Sequence, residues 1–384
     1  MIDRRHFRKA SNYYLALASE ALGPAFGLYA RLAGAPGRIP PDQWRRGILL
    51  GAAHIGDLLY RSSSLGALQA GLPQCEWTYL AEPGPAEVLR THPALTGVIE
   101  STLPRPGSAA FFALARRLRA GKFDAAICYG TGTYWPELLL AAHSGIPNRV
   151  AYTHKGFSGL VTHPMAFHGA QPYPAHFRDL VADLTGQTPD WPLRPLVVTQ
   201  EADEAEAATV WETLNLLQDV PVVACFVTTR QPAGQWPRAA YGETLAQLCA
   251  EYRVQLLLCG AAGDAATLEE LKSAYELNCP IVAGRLPLRA LVVSLGRVAG
   301  VFSTDSGPRH LANAAGVPVC FMRNLWSPKI ETGSYLETEH DLAPEAECVA
   351  AGDENRAFRS IHPAGVARSI ATFLRLAPRV PGGG

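Results

Sequence analysis

Val301-Phe-Ser-Thr-Asp-Ser-Gly-Pro-Arg-His-Leu-Ala-Asn-Ala-Ala-Gly316 is the stretch on which the fold of this chain turns. The apolar run at 299–302 reads as a buried strand, and the small residues behind it read as a helix start. Ser306 suits the N-cap, Pro308 suits the first turn, and Gly316 followed by Pro318 stops the helix. A second strand, 317–322, follows at once. Strand, tight turn, helix and strand make one crossover of a parallel sheet. At such a turn the unpaired backbone N–H groups carry about half a positive charge, which suits a phosphate. His310 lies one turn beyond Ser306 and can share its face. Asp305 and His310 read equally well as residues that merely cap and pack.

Working outward, the alternation repeats. Strands are expected at 220–227, 254–259, 280–283 and 300–303, with helices at 239–251, 266–277, 288–295 and 308–315 between them. The first half repeats the pattern with strands at 46–50, 76–80, 97–100, 123–129 and 149–152 and helices at 57–70, 85–90, 109–120 and 135–144. Between 153 and 195 the pattern weakens to one helix near 176–185, and Trp191-Pro-Leu-Arg-Pro195 reads as an interdomain link. Residues 322–355 read as irregular, and 363–376 as a last amphipathic helix, with a return to the first domain left open. The fold class is α/β: two Rossmann-like, doubly wound domains at 41–195 and 196–362, a lead-in helix in 1–40, and a closing helix and tail at 363–384.

The composition agrees. A chain of 384 residues suits two cores, and 48% apolar with 18% charged residues is globular. Lys plus Arg equals Asp plus Glu at 34 each, so nothing global points to nucleic acid. The eight cysteines are scattered without a Cys-x-x-Cys pair, as expected of buried thiols in a reducing, cytoplasmic compartment. Arg4, Arg5, Arg8 and Lys9 precede an apolar stretch at 13–32. Glu20 and Arg31 interrupt that stretch and Gly23-Pro24 breaks it, which argues against a signal peptide or an anchor. An amphipathic helix, packed on the protein or lying on a membrane surface, fits better.

Several residues could carry chemistry. Asp57, at the start of a helix after the first strand, sits where a general base meets a substrate hydroxyl; the alternative is a helix-stabilising charge. His54 is a second proton carrier or a loop residue. Thr228, Thr229 and Arg230 follow the first strand of the second domain and suit phosphate oxygens, or make a turn. Asp264 could accept from a ribose hydroxyl or act as an N-cap. Leu286 could cover a base ring or belong to the core. Gly130-Thr-Gly-Thr-Tyr-Trp135 begins like a dinucleotide fingerprint but has Trp135 at the third glycine. His163, His168 and His176 lack metal-ligand spacing, and no Asp-x-Asp is present to hold a divalent ion on a diphosphate. No metal and no cofactor are expected.

Taken together, Gly56-Asp57, Gly145-Ile-Pro-Asn-Arg-Val-Ala-Tyr152, Thr228-Thr229 and Asp305-Ser-Gly-Pro-Arg-His310 resemble the heptosyltransferase family, from about residue 47 to 376. The last of these is similar to the family's Asp-Thr-Gly-x-x-His donor-phosphate turn, with Ser306 in place of Thr. The resemblance implies a GT-B fold and an inverting, metal-independent transfer of a heptose-like sugar from ADP-heptose or a related donor. It implies Asp57 as catalytic base, and Thr228, Thr229, Asp305, Ser306, Gly307 and His310 at the diphosphate. Asp264 would lie at the ribose and Leu286 at the base. On that reading Asp305 and His310 serve the nucleotide and are dispensable for the fold. The implied acceptor is lipopolysaccharide core or a small-molecule glycoside, at the inner face of the cytoplasmic membrane. One departure stands out: the family's Lys two residues before Trp-Pro is Gly234 here, which leaves Arg230 or Arg238 to supply the cation. A nucleotide-sugar epimerase or a degenerate nucleotide-binding module is the alternative.

Overall fold

The computed structural model describes residues 2–7, 9–34, 38–51, 54–128, 135–229, 236–325, 327–344 and 353–379. The chain divides into two compact units, Met1–Gly169 with Tyr173–Leu193, and Ala170–Pro172 with Arg194–Gly384.

In the first unit the order is α1 (Ala10–Ala21), α2 (Gly23–Leu32), β1 (Arg46–Leu50), α3 (Ile55–Gly71), β2 (Glu76–Ala81), β3 (Gly97–Glu100), α4 (Ala109–Ala120), β4 (Ala125–Cys128), α5 (Trp135–His143), β5 (Asn148–Tyr152), β6 (His163–Met165) and α6 (Tyr173–Thr185). All strand pairs are parallel, in the order β3-β2-β1-β4-β5-β6. Ile48, Leu49 and Leu50 are fully buried, as a strand covered on both faces must be. Gly47 is required beside them, because a Cβ there would lie 2.3 Å from the Trp77 ring.

The second unit runs α7 (Glu201–Glu212), β7 (Val222–Phe226), α8 (Arg238–Glu251), β8 (Gln255–Leu258), α9 (Ala265–Ala274), α10 (Leu288–Leu295), β9 (Gly300–Thr304), α11 (Gly307–Ala315), β10 (Val319–Met322), α12 (Lys329–Thr332), β11 (Glu339–Asp341), α13 (Glu354–Phe358) and α14 (Pro363–Phe373). Its strands are also all parallel, in the order β11-β10-β9-β7-β8. Each sheet therefore reverses its winding once, between β1 and β4 in the first and between β7 and β9 in the second. Ligands of doubly wound sheets bind at these switch points, beyond the carboxyl ends of the strands.

The structure departs from the sequence reading in four places. Residues 280–283 form no strand; only an isolated bridge joins Leu258 and Ile281, since Pro280 has no N–H and Gly284 turns the chain at φ +68°. The edge strands β6 and β11 lie in segments read as irregular, because three residues are too few to show an alternation. The lead-in is two helices divided near Gly23-Pro24. It packs inward: Ser19 Oγ accepts from the Phe157 N–H at 2.8 Å, and the Glu20 carboxylate accepts from the Ser158 N–H at 2.9 Å. No helix among the described residues is long and apolar enough to cross a membrane.

The closing helix lies within the second unit. Val366, Ala367, Ile370 and Ala371 of α14 join Leu245 and Leu248 of α8 in one buried cluster, and the Leu374 side chain covers Gly300. Ile370→Ala removes a fully buried side chain from this contact. It is expected to cost about 2–5 kcal/mol, read as a lowered urea midpoint of the second unit's transition.

Candidate active site

At the switch point of the second unit, β9 ends in the turn Thr304-Asp305-Ser306 and α11 begins. Ser306 occupies the N-cap, but its hydroxyl makes no bond to the helix N–H groups. It pairs instead with Thr304 Oγ1 at 2.7 Å, and Thr304 Oγ1 donates to the Thr228 carbonyl at 3.4 Å. A chain of hydroxyls thus ties the loop after β9 to the loop after β7, and brings Thr228 and Thr229, both half-buried, beside the start of α11. Arg230 lies outside the described residues. Arg238 is exposed at the first position of α8, behind the buried Trp236.

Asp305 is placed differently from the expectation. Its Oδ1 accepts from Arg309 Nη1 at 3.0 Å and its Oδ2 from Asn324 Nδ2 at 2.8 Å. Burial pushes the carboxyl above its usual range, against the pull of Arg309. Arg309, unremarked in the sequence, is the centre of a buried network. It donates from Nε and Nη2 to both oxygens of Glu339, at 2.6 and 2.9 Å, and to the carbonyls of Thr332 and Gly333. The signal that could have revealed it is the i, i+4 spacing of Asp305 and Arg309. His310 is also buried, with Nδ1 3.3 Å from the Tyr335 hydroxyl. Burial and the adjacent Arg309 charge hold it well below the usual histidine range, so it is a neutral imidazole and no cation.

Asp264 makes no side-chain bond to the N–H groups of α9; its Oδ2 accepts from the Ala261 N–H behind it at 2.8 Å, which closes the preceding turn. The Gly284 N–H donates to the Gly260 carbonyl at 3.0 Å, and Gly284 packs so closely on Ala262 that a Cβ there would lie 2.5 Å away. This contact sets the loop of Leu286, which is only half-buried, beside the loop of Asp264. Asn324 Oδ1, missed in the sequence, is buried next to Asp305 with no hydrogen-bond partner among the described residues.

At the switch point of the first unit, Gly51 leaves β1 at φ +100°, a conformation that favours glycine. Asp57 sits half-buried in the first turn of α3, with no ion pair among the described residues, and His54 is the exposed N-cap. One turn on, the buried Arg61 donates through Nη1 to the Gly51 carbonyl and to the Tyr79 hydroxyl at 2.7 Å. Across the switch, in the first turn of α5, is Glu137. Its Oε2 is buried and has no hydrogen-bond partner among the described residues. Burial pushes its carboxyl up to about 7; the Asp57 charge adds to the rise and Arg61 opposes it. Nothing in the sequence singled out Glu137, because its burial comes from the folded switch point. The glycine-rich loop before α5 lies outside the described residues, save Trp135. His163, His168 and His176 go to separate partners: Trp44 edge-on, Asp183 at 2.8 Å and the Phe167 ring.

Comparison with known proteins now decides the family. The model of glycosyltransferase family 9 (heptosyltransferase) matches residues 111–322, more than half the chain. The chain belongs to glycosyltransferase family 9. This glycosyltransferase is 26% identical over 301 residues to lipooligosaccharide heptosyltransferase 2 of Haemophilus influenzae, covering 73% of its own length and 84% of the relative. Its fold is similar to that of a family 9 glycosyltransferase from Veillonella parvula DSM 2008, with a TM-score of 0.74, 16% identity, and 88% and 98% of the two chains covered. It is likewise similar to E. coli ADP-heptose lipopolysaccharide heptosyltransferase II, with a TM-score of 0.67, 20% identity, and 86% and 98% covered. The heptosyltransferase resemblance and the GT-B fold expected from it are both upheld.

Two outcomes follow for the family 9 enzyme. Asp305→Ala takes a charged acceptor from buried Arg309 and from Asn324, and each such bond contributes about 1.5–3 kcal/mol. A clearly lowered melting temperature is expected, where the motif alone implies an intact fold. Glu137 holds its proton up to about pH 7 in the folded chain against an ordinary 4.5. Its contribution to stability is therefore full below about pH 4.5 and is lost as pH rises through 7, on the order of 3 kcal/mol. Glu137→Gln, which cannot ionise, is expected to melt higher than the parent at pH 8 and no higher at pH 5.

Proposed function

We propose that this enzyme is an inverting glycosyltransferase that moves a heptose-like sugar from a nucleotide-diphosphate donor, ADP-heptose first among candidates, to an acceptor hydroxyl. The donor assignment draws on the ADP-heptose and lipopolysaccharide named for the E. coli structure. The acceptor is then a lipopolysaccharide core sugar, and the enzyme works at the inner face of the cytoplasmic membrane. The observation that carries the reading is the position of the two motifs, each beyond the switch point of its own sheet.

In this reading the second unit holds the donor. The helix start at Ser306-Gly307 and the hydroxyls of Thr228 and Thr229 receive the diphosphate, as helix N-termini do for anions. Asp264 meets the ribose and Leu286 the base. Asp305 and His310 act from behind, by holding the turn and by offering one uncharged ring nitrogen. The first unit holds the acceptor, with Asp57 removing the hydroxyl proton. The oxygen then attacks the anomeric carbon in line, the bond to the diphosphate breaks, and the configuration inverts. Charge on the leaving diphosphate is met by preorganised dipoles and by Arg230 or Arg238. Each such donor is worth on the order of a hundredfold in rate. A metal is not needed in this scheme, since no Asp-x-Asp motif exists to hold one.

The test pairs binding with turnover. ADP-heptose and ADP are expected to raise the melting temperature of the parent above the effect of GDP-, UDP- or CDP-sugars. Asp57→Asn keeps side-chain size and is expected to preserve that shift while transfer falls about a hundred- to ten-thousandfold. Parental transfer by the Asn variant makes Asp57 a helix-end charge only. Nucleotide binding without transfer by the parent supports the degenerate module, which the missing Lys favours.

A further inference from the structure

Ten large apolar side chains are exposed among the described residues; five of them, Tyr14, Leu15, Leu17, Leu28 and Leu32, lie on α1 and α2, and a sixth, Leu22, joins the two helices. Tyr14 is 66% exposed and Leu32 is 79% exposed. These helices already bury another side, through Ala16, Ser19 and Ala30, with Glu20 held by Ser158. The outer leucines are therefore not required to attach the helices to the unit. Leu32 also lines a groove of about 590 Å³ whose other walls are Ala33, Phe112, Ala115 and His143 with the arginines Arg116 and Arg119. Six exposed large apolar side chains gathered within nineteen residues mark a place where something binds.

The charges around it are mostly positive. Arg31 is exposed on α2, Arg4, Arg5 and Lys9 precede α1, and α4 contributes the exposed Arg116, Arg117 and Arg119. Arg119 also donates to the Ala33 carbonyl at 2.8 Å and to the His143 carbonyl at 2.6 Å, which fixes the cationic helix against the end of α2. From residue 9 to 34 the one acid is Glu20, turned toward Ser158, and α4 has none. Asp3 is already paired with Arg5.

We propose that the outer face of α1 and α2, with the groove beside α4, docks on an anionic phospholipid bilayer. The leucines and Tyr14 enter the acyl boundary, and the arginines and Lys9 meet the headgroup phosphates, as in interfacial amphipathic helices. A second copy of the chain is the poorer occupant, because it would bring the same cations to the same seam with no acids to offset them. This deepens the membrane-side placement proposed above and uses none of the transfer chemistry.

The test is flotation of the full chain with vesicles. At low salt it is expected to float with phosphatidylglycerol vesicles, at least tenfold more tightly than with phosphatidylcholine alone, and added salt should weaken the binding. Leu28→Glu with Leu32→Glu is expected to lose flotation by tenfold or more while keeping the parental melting temperature and nucleotide affinity. Should the Glu pair misfold, the Leu28→Ser, Leu32→Ser pair reads the same loss. Arg116→Gln with Arg117→Gln should erase the preference for the anionic lipid. Failure of the parent to float, or parental flotation by the leucine variants, overturns the proposal. So does a parental dimer in sedimentation that the Glu pair dissociates, since a second copy then covers the face. Transfer to a soluble acceptor and flotation are read separately, so Asp57→Asn tests the chemistry and leaves flotation untouched.

Discussion

The Arg309 guanidinium is the group on which the turn after β9 depends. It is about 1% exposed, and a lone cation at such depth would be strongly destabilising. All five of its N–H groups are matched, by both oxygens of Glu339, one oxygen of Asp305 and the carbonyls of Thr332 and Gly333. The Phe321 ring lies 3.6 Å from its centre. Because its four partner residues belong to three elements, satisfying one cation fixes the turn after β9, the end of α12 and the start of β11 together. It also explains why a segment that reads as irregular is ordered there. Its folding information is held by one arginine and one glutamate thirty residues apart.

The first unit uses a related device. In both units an acid follows the switch-point strand and an arginine follows the acid by four residues, Asp57 with Arg61 and Asp305 with Arg309. The outcomes differ. Asp305 is bonded to its arginine, whereas Arg61 reaches the Gly51 carbonyl and the Tyr79 hydroxyl. One spacing thus produces a structural carboxylate in the second unit and an uncommitted one in the first. Glu137, close enough to feel the Asp57 charge, is kept protonated up to about pH 7 by burial.

The lead-in helices show one segment serving two environments. Small residues and Glu20 meet the protein on one side, while leucines and cations remain outside on the other. A weak separation of apolar and polar positions in sequence is the natural result, since both sides are partly apolar.

The sequence by itself determined the alternation of strands and helices, the two doubly wound domains and the motif turns at 56–57, 228–229 and 305–310. These rest on local physics: apolar runs of strand length, glycine and proline at turns, and small residues where backbone must approach closely. Its failures were also physical. Edge strands β6 and β11 are too short to carry a period, and the run at 280–283 looked like a strand although Pro280 and Gly284 leave only a bridge. The roles of Asp305, Arg309, His310 and Glu137 were decided by tertiary structure alone. Burial and the partners a side chain meets set whether it is charged, neutral or structural, and apart from the i, i+4 pair of Asp305 and Arg309 those partners lie far away in the chain.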